Sequence, residues 1–137
     1  MRYLLDTNIL SNFTKPSPSA ALSQWIAEQA DEDLFISSWT LGELRHGVLG
    51  KPVGRKRTML EHWFVGIQSW FAGRVLPYDD QAALVWARLM NEGSASGKPR
   101  SALGMIIAAT AEANGCLVVT DNEKHFAGIK ILNPLRT

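Results

Sequence analysis

The feature that most constrains this chain is a change of hydrophobic rhythm. Short apolar runs alternate with longer stretches whose apolar residues recur at helical spacing. Tyr3-Leu4-Leu5, Leu34-Phe35-Ile36-Ser37, Val75-Leu76-Pro77, Cys116–Val119 and Ile129–Leu132 read as strands. Between them, helices are predicted over Ala20–Ala30, Trp39–Leu49 and Arg55–Phe71, then from Asp79 or Asp80 to about Glu92, and from a Ser101 cap to Gly115. The inward faces would carry Leu41, Leu44 and Val48; then Leu84, Val85 and Leu89; then Leu103, Ile106, Ile107 and Thr110. Gly93–Gly97 reads as a loop, and Lys124–Phe126 as a short helical turn. Strands alternating with helices predict an α/β fold with a central, mainly parallel sheet covered on both faces. With 137 residues, a single domain over 1–137 is expected, and no repeat or linker interrupts it.

Several function classes are excluded early. There is no Walker A loop, no dinucleotide glycine fingerprint and no Cys/His spacing for zinc. Gly93-Ser94-Ala95-Ser96-Gly97 is no nucleophile elbow, because its central residue is Ala. The single cysteine, Cys116, forbids an internal disulfide and suits a reducing cytosol; within an apolar run it reads as a buried strand thiol. Met1-Arg2 precedes only three apolar residues, too few for a signal peptide, and no stretch approaches a membrane span. A cytoplasmic location away from membranes is therefore expected. The five tryptophans are scattered and predicted to pack helices, and His46, His62 and His125 lack ligand spacing.

The net charge of +1 rules out a polycation, but the basic residues are uneven. Arg45, Lys51, Arg55, Lys56 and Arg57, with His46, form a stretch without an acid. Such a cluster can track phosphates, and equally it can be the solvated surface of a loop and helix start.

In open parallel sheets, ligands bind beyond the carboxyl ends of the strands. The first predicted strand ends in Asp6-Thr7-Asn8, the second leads to Glu43, and a later one ends in Thr120-Asp121-Asn122. Acids from distant parts of the chain could thus meet at one sheet edge. Clustered carboxylates repel unless a cation neutralises them, and hard oxygen ligands suit Mg²⁺ or Mn²⁺. A cation so held can activate water beside a phosphate, so a phosphodiesterase is the natural chemistry. Each residue also has a structural reading. Asp6, Thr7 or Asn8 could cap a helix, Thr40-Leu41-Gly42-Glu43 matches a capping box, and Asp121-Asn122 could form a turn.

The same segments, in order, resemble the PIN-domain family, specifically its VapC-like toxins. The matching segments are Leu4-Leu5-Asp6-Thr7-Asn8-Ile9-Leu10-Ser11, Ser37 to Gly47 (SSWTLGELRHG), Phe71 to Asp79 (FAGRVLPYD), Ile106-Ile107-Ala108-Ala109-Thr110-Ala111, Leu117 to Phe126 (LVVTDNEKHF) and Leu132-Asn133-Pro134. The resemblance spans nearly the whole chain. It implies a compact sandwich around a parallel sheet, Mg²⁺- or Mn²⁺-dependent RNA cleavage, and a homodimer. It also implies a small antitoxin that wraps the toxin, places an Arg among its acids, and carries the pair to operator DNA. By motif position, Asp6 and Glu43 correspond to the first two family acids. Asn122 takes the fourth polar position, with Asp121 beside it. Arg45, Arg55, Lys56 and Arg57 become the expected RNA contacts, bordering the acidic pocket because Arg45 shares a helix with Glu43.

One position departs from the pattern. Gly104 stands where the family carries an Asp metal ligand. One base change links the two codons. The expectation is a much weaker nuclease with its fold intact, on the view that position 104 needs only a helical residue. Two other function classes stay open: a non-catalytic subunit acting through its antitoxin and operator complex, and a phosphoacceptor domain, for which Lys124 is the only available lysine.

Overall fold

The computed structural model describes residues 1–136. A five-stranded sheet runs through its centre, built from β1 (Arg2–Leu5), β2 (Leu34–Ser37), β3 (Val75–Leu76), β4 (Cys116–Val119) and β5 (Ile131–Leu132) in the order β3-β2-β1-β4-β5. Every pairing is parallel. The central strand β1 is in register with β2 on one side (Tyr3 opposite Leu34) and β4 on the other (Leu5 opposite Val119). Parallel neighbours need crossovers, and helices supply them.

The helices are α1 (Thr7–Asn12), α2 (Ala20–Ala27), α3 (Ser38–Leu49), α4 (Arg55–Trp70), α5 (Asp80–Ala95) and α6 (Ala102–Ala113). Side chains alternate across each strand, so two cores form. Leu5, Leu34, Ile36 and Val119 join Ile9, Leu44, Phe64 and Phe71 under α1 to α4. Leu4, Phe35 and Val118 join Leu89, Met105 and Phe126 under α5 and α6. The alanines of α6, among them Ala108, Ala109 and Ala111, are buried. Trp86 ties α5 to α6 by donating its indole N–H to the Ala102 carbonyl (3.1 Å).

The expected α/β sandwich is therefore present, with local corrections. Helix α1 follows β1 directly, with Asp6 as its cap. Helix α3 begins one residue early because Ser37, not Thr40, caps it by accepting from the Thr40 N–H (3.0 Å). Glu43 is thus free of the capping-box role. Helix α5 continues through Gly93-Ser94-Ala95, read above as loop; Gly93 is buried, and a Cβ there would lie 2.9 Å from the Arg100 Cγ. Leu84 is 75% exposed rather than inward; Ala82 and Leu89 hold that face. Leu103 is likewise exposed, and Met105 and Ile107 carry the inward face of α6. The last strand shrinks to Ile131–Leu132. Cys116 is half-buried, and burial pushes its thiol pKa up. Among the described residues, no helix is long and apolar enough to cross a membrane.

Candidate active site

The strand ends deliver Asp6, Ser37 and Thr120 to the carboxyl edge of the sheet, where β1 has neighbours on both sides. Asp6 is almost buried, at 7% exposure, and both of its carboxylate oxygens are engaged. Oδ1 accepts from the Thr7 N–H (2.8 Å), and Oδ2 accepts from the Thr120 hydroxyl (2.8 Å) and the Asn8 amide (3.2 Å). Burial raises the Asp6 pKa; the hydrogen bonds from Thr120 and Thr7 pull it down, nearby Glu43 pushes it up, and His125 pulls it down.

Glu43 sits on α3 and reaches the same place. Its Oε1 accepts from the Thr7 hydroxyl at 2.6 Å. Thr7 therefore links the two acids, through its backbone to Asp6 and through its side chain to Glu43. Behind it, the Thr40 hydroxyl lies 3.1 Å from that of Thr7 and 3.2 Å from that of Ser37. On the other side, Asn8 accepts from the Asp121 N–H (3.3 Å), and Thr120 accepts from the Asn122 N–H (3.0 Å). The loop after β4 is thus fastened to the start of α1.

Asp6, Thr7, Asn8 and Glu43 line a cavity of about 320 Å³. Asp6, Glu43, Asn122 and Gly104 all border it, with Trp39 and His125. The expected meeting of acids from separate strands is realised for Asp6 and Glu43. Of the two neighbouring candidates after β4, Asn122 faces the cavity and Asp121 does not. Lys124, required by a phosphoacceptor reading, is also outside it.

The basic stretch lies elsewhere. None of Arg45, Arg55, Lys56 and Arg57 lines the acidic cavity, contrary to the expected border. Two residues along a helix is a rotation of about 200°, so sharing α3 with Glu43 turns Arg45 away. Arg45 instead meets Glu61 on α4 at 2.6 Å and stacks over Phe64, and Arg57 lies 3.5 Å from the same Glu61. These two cations hold the Glu61 pKa down. Arg55 and Lys56 are exposed at the start of α4.

Position 104 also departs from expectation. Gly104 is buried in the first turn of α6, and a Cβ there would lie 2.5 Å from the His125 carbonyl oxygen. Any side chain there requires the turn's backbone to shift, so a merely helical residue does not fit without rearrangement.

Comparison with known proteins places this geometry. The sequence profile of the PIN domain matches residues 3–132. The chain belongs to the PIN-domain family. Among curated relatives, this PIN domain is 40% identical over 134 residues to "VapC ribonuclease Y4jK" of Sinorhizobium fredii, covering 96% of each chain. Among solved structures it resembles "Structure of FitAB bound to IR36 DNA fragment", with TM-score 0.89, 34% identity, and coverage of 97% of this chain and 95% of that one. It also resembles VapBC-5 of Mycobacterium tuberculosis, described as a member of the VapBC family of toxin–antitoxin systems, with TM-score 0.69, 26% identity, and coverage of 96% and 98%.

The acids are legible in the sequence, and what holds them is visible only in the fold. The linking role of Thr7, Thr40 and Thr120 has one signal in the sequence: Asp-Thr-Asn and Thr-Asp-Asn both follow strand ends. Trp39, expected to pack a helix, is 38% exposed and borders the cavity.

The residues suit a divalent cation of modest demands. Mg²⁺ usually takes one or two carboxylates and keeps several waters. Asp6 and Glu43, with the Asn122 amide nearby, offer such a set in a cavity with room for water. Among the described residues, no cluster of three or more His, Cys, Asp or Glu side chains is arranged to hold a metal. A cage of three or four acids is therefore not what this cavity provides.

Proposed function

We propose that the chain is a metal-dependent endoribonuclease, the toxin of a type II toxin–antitoxin pair, working in the cytoplasm. The carrying observation is the Thr7-linked meeting of Asp6 and Glu43 at the carboxyl edge of the sheet. The ribonuclease named among its relatives supports the same reading. Asp6, Glu43 and Asn122 would hold Mg²⁺ or Mn²⁺, which supplies a nucleophilic water and offsets charge on the phosphate. The protein's own part is preorganisation. Thr7, Thr120 and Asn8 fix the Asp6 carboxylate through three hydrogen bonds, so it need not reorganise when RNA arrives. Thr7 holds Glu43 at a set distance from Asp6.

Partner assignments follow the same reading. An antitoxin strand or helix would cover the cavity, with an Arg guanidinium on the acids in place of the cation. The toxin–antitoxin complex and the DNA-bound structure among the neighbours support an antitoxin partner and indirect contact with operator DNA. A homodimer completes the proposed assembly.

Cleavage of labelled single-stranded RNA by the isolated chain, with Mg²⁺ or Mn²⁺ and with EDTA, tests the proposal. Metal-dependent cleavage lost in Asp6→Ala supports it. A folded chain that leaves RNA intact under all these conditions sinks it. A second reading, a non-catalytic subunit acting through its antitoxin and operator complex, is favoured by Gly104 at the position of a family acid. That outcome would be full antitoxin and operator binding without cleavage.

A further inference from the structure

We propose that Trp39 stacks on the nucleobase beside the cleaved phosphate, which makes it an RNA-binding residue at the rim of the acidic cavity. This rests on the ribonuclease reading and names the part of the substrate that the rim takes.

Trp39 stands apart from the other tryptophans. Trp25, Trp63 and Trp70 pack against the core under α1 to α4, and Trp86 packs against the core under α5 and α6. Trp25 also meets Tyr3 edge-on, with ring centroids 5.0 Å apart. Of the five, Trp39 is the one that is exposed. A tryptophan left in water contributes little to a core, although its ring is the largest apolar surface a side chain offers.

Its place gives that surface a use. Trp39 and Glu43 are one turn apart on α3, so they share a face of the helix. Both border the acidic cavity, and both border a second cavity of about 370 Å³ whose other lining residues are Gly42 and His46. Gly42 has no side chain, and a Cβ there would meet nothing within 4 Å, so the helix surface beside Trp39 is open. Leu103, also exposed, borders the acidic cavity from α6. The cavity that gathers the acids is thus bordered by two exposed apolar side chains, one of them aromatic.

A nucleotide has two parts to match. Its phosphate is anionic and belongs with the cation at the acids; its base has flat faces that stack on an aromatic ring whatever the sequence. With a phosphate at Asp6 and Glu43, the neighbouring base is carried to the rim, where Trp39 meets it and the second cavity gives it room. Phosphates repeat along the strand and do not fix its register, whereas a stacked base does.

The test uses short single-stranded RNAs, identical except that one nucleotide at a time lacks its base. KM and kcat for cleavage in Mn²⁺ and melting temperatures are measured for the parent, Trp39→Ala, Trp39→Phe and Trp39→Leu. In the parent, removing a base beside the cut should raise KM about tenfold, the effect of one base–aromatic stack. Trp39→Ala should raise KM for intact RNA by a similar factor, without lowering the melting temperature, and base removal should then cost little more. Phe, which keeps an aromatic face, should recover most of the loss, and Leu, which keeps only apolar bulk, should not. In EDTA, RNA binding should quench tryptophan fluorescence in the parent and far less in Trp39→Phe. The proposal is overturned if no base beside the cut matters to the parent, a result that needs no variant to fold. It is also overturned if Leu serves as well as Phe, or if the cost of base removal persists in full in Trp39→Ala. Cleavage by Trp39→Ala equal to the parent's removes only the role of Trp39, as would follow if the ring served a protein partner instead. If the folded parent neither binds nor cuts these RNAs, the ribonuclease reading fails and takes this inference with it.

Discussion

The two walls of the acidic cavity are built by different means. The wall formed by β1 and α3 is held by side chains: Asp6, Thr7, Thr40 and Glu43 form one hydrogen-bonded chain that reaches back to Ser37. The wall formed by α6 and the turn Glu123–Phe126 is held by close backbone approach, with the His125 carbonyl against Gly104. The first wall carries acids at the positions the PIN resemblance assigns to them. The second has Gly104 where the resemblance implies an acid, and the His125 backbone lies against it. The difference teaches that an acid at 104 would change shape as well as charge, so introducing a carboxylate there would not be a local change.

The largest effects should come from the side-chain wall. Asp6→Ala and Glu43→Gln are each expected to lower RNA cleavage by about a hundredfold or more, the usual cost of removing a preorganised charged group from a catalytic site. The RNA assay with Mn²⁺ measures this directly, and near-parental cleavage in either variant would take the reaction away from this wall. Asp6 should also reveal itself in stability. Its folded pKa lies above its ordinary value of 3.8 because it is buried. Between those two values the folded chain keeps a proton that the unfolded chain has released. Stability is therefore greatest below 3.8 and falls as pH rises through the folded value. Asp6→Asn removes that fall. In EDTA it should melt higher than the parent at neutral pH, with the gap closing in acid. A gap that widens in acid would mean that Asp6 is stabilising as a carboxylate.

The next effect belongs to the backbone wall. Gly104→Asp adds a carboxylate but also a Cβ that the His125 carbonyl does not admit. Overpacking of this kind costs about 1–3 kcal/mol, which outweighs the helix-propensity gain of leaving glycine. The melting temperature should drop by about 5 °C or more. The turn has to move, so any gain in cleavage or growth arrest comes from a rearranged wall. Unchanged melting with parental activity would show that the turn yields freely and that the acid at 104 adds nothing.

How much of this was legible in the sequence follows the same division. The parallel α/β sandwich could be read because apolar periodicity reports strands and helices through local geometry. Asp6 and Glu43 could be placed because each follows a strand that ends at one edge of the sheet. The Thr7 link could not be read, since it depends on how the start of α1 faces Glu43, thirty-six residues further along. The cost of a side chain at Gly104 was equally hidden: it is a contact between α6 and a turn beyond β4, and helix periodicity carries no sign of it. Arg45 shares α3 with Glu43 but not its face, because two residues along a helix turn a side chain by about 200°.

The smallest effect should come from the basic stretch, which belongs to neither wall. Arg45 and Arg57 are already occupied by Glu61, and exposed ion pairs of this kind contribute little beyond fixing their own geometry. Arg55 and Lys56 are exposed at the start of α4, away from the cavity lining, where they can attract RNA only at a distance. Reversing Arg55, Lys56 and Arg57 to Glu should therefore lower RNA affinity a few-fold at low salt and flatten its salt dependence, with kcat unchanged. Reversing Arg57 also places a fourth-residue neighbour of like charge beside Glu61, so the Arg55 and Lys56 pair should be tested alone as well. At high salt the variants and the parent should converge, because screening removes a long-range attraction and leaves direct contacts. A loss that persists at high salt, or that appears in kcat, would mean that RNA runs from the cavity along α4 and touches these side chains.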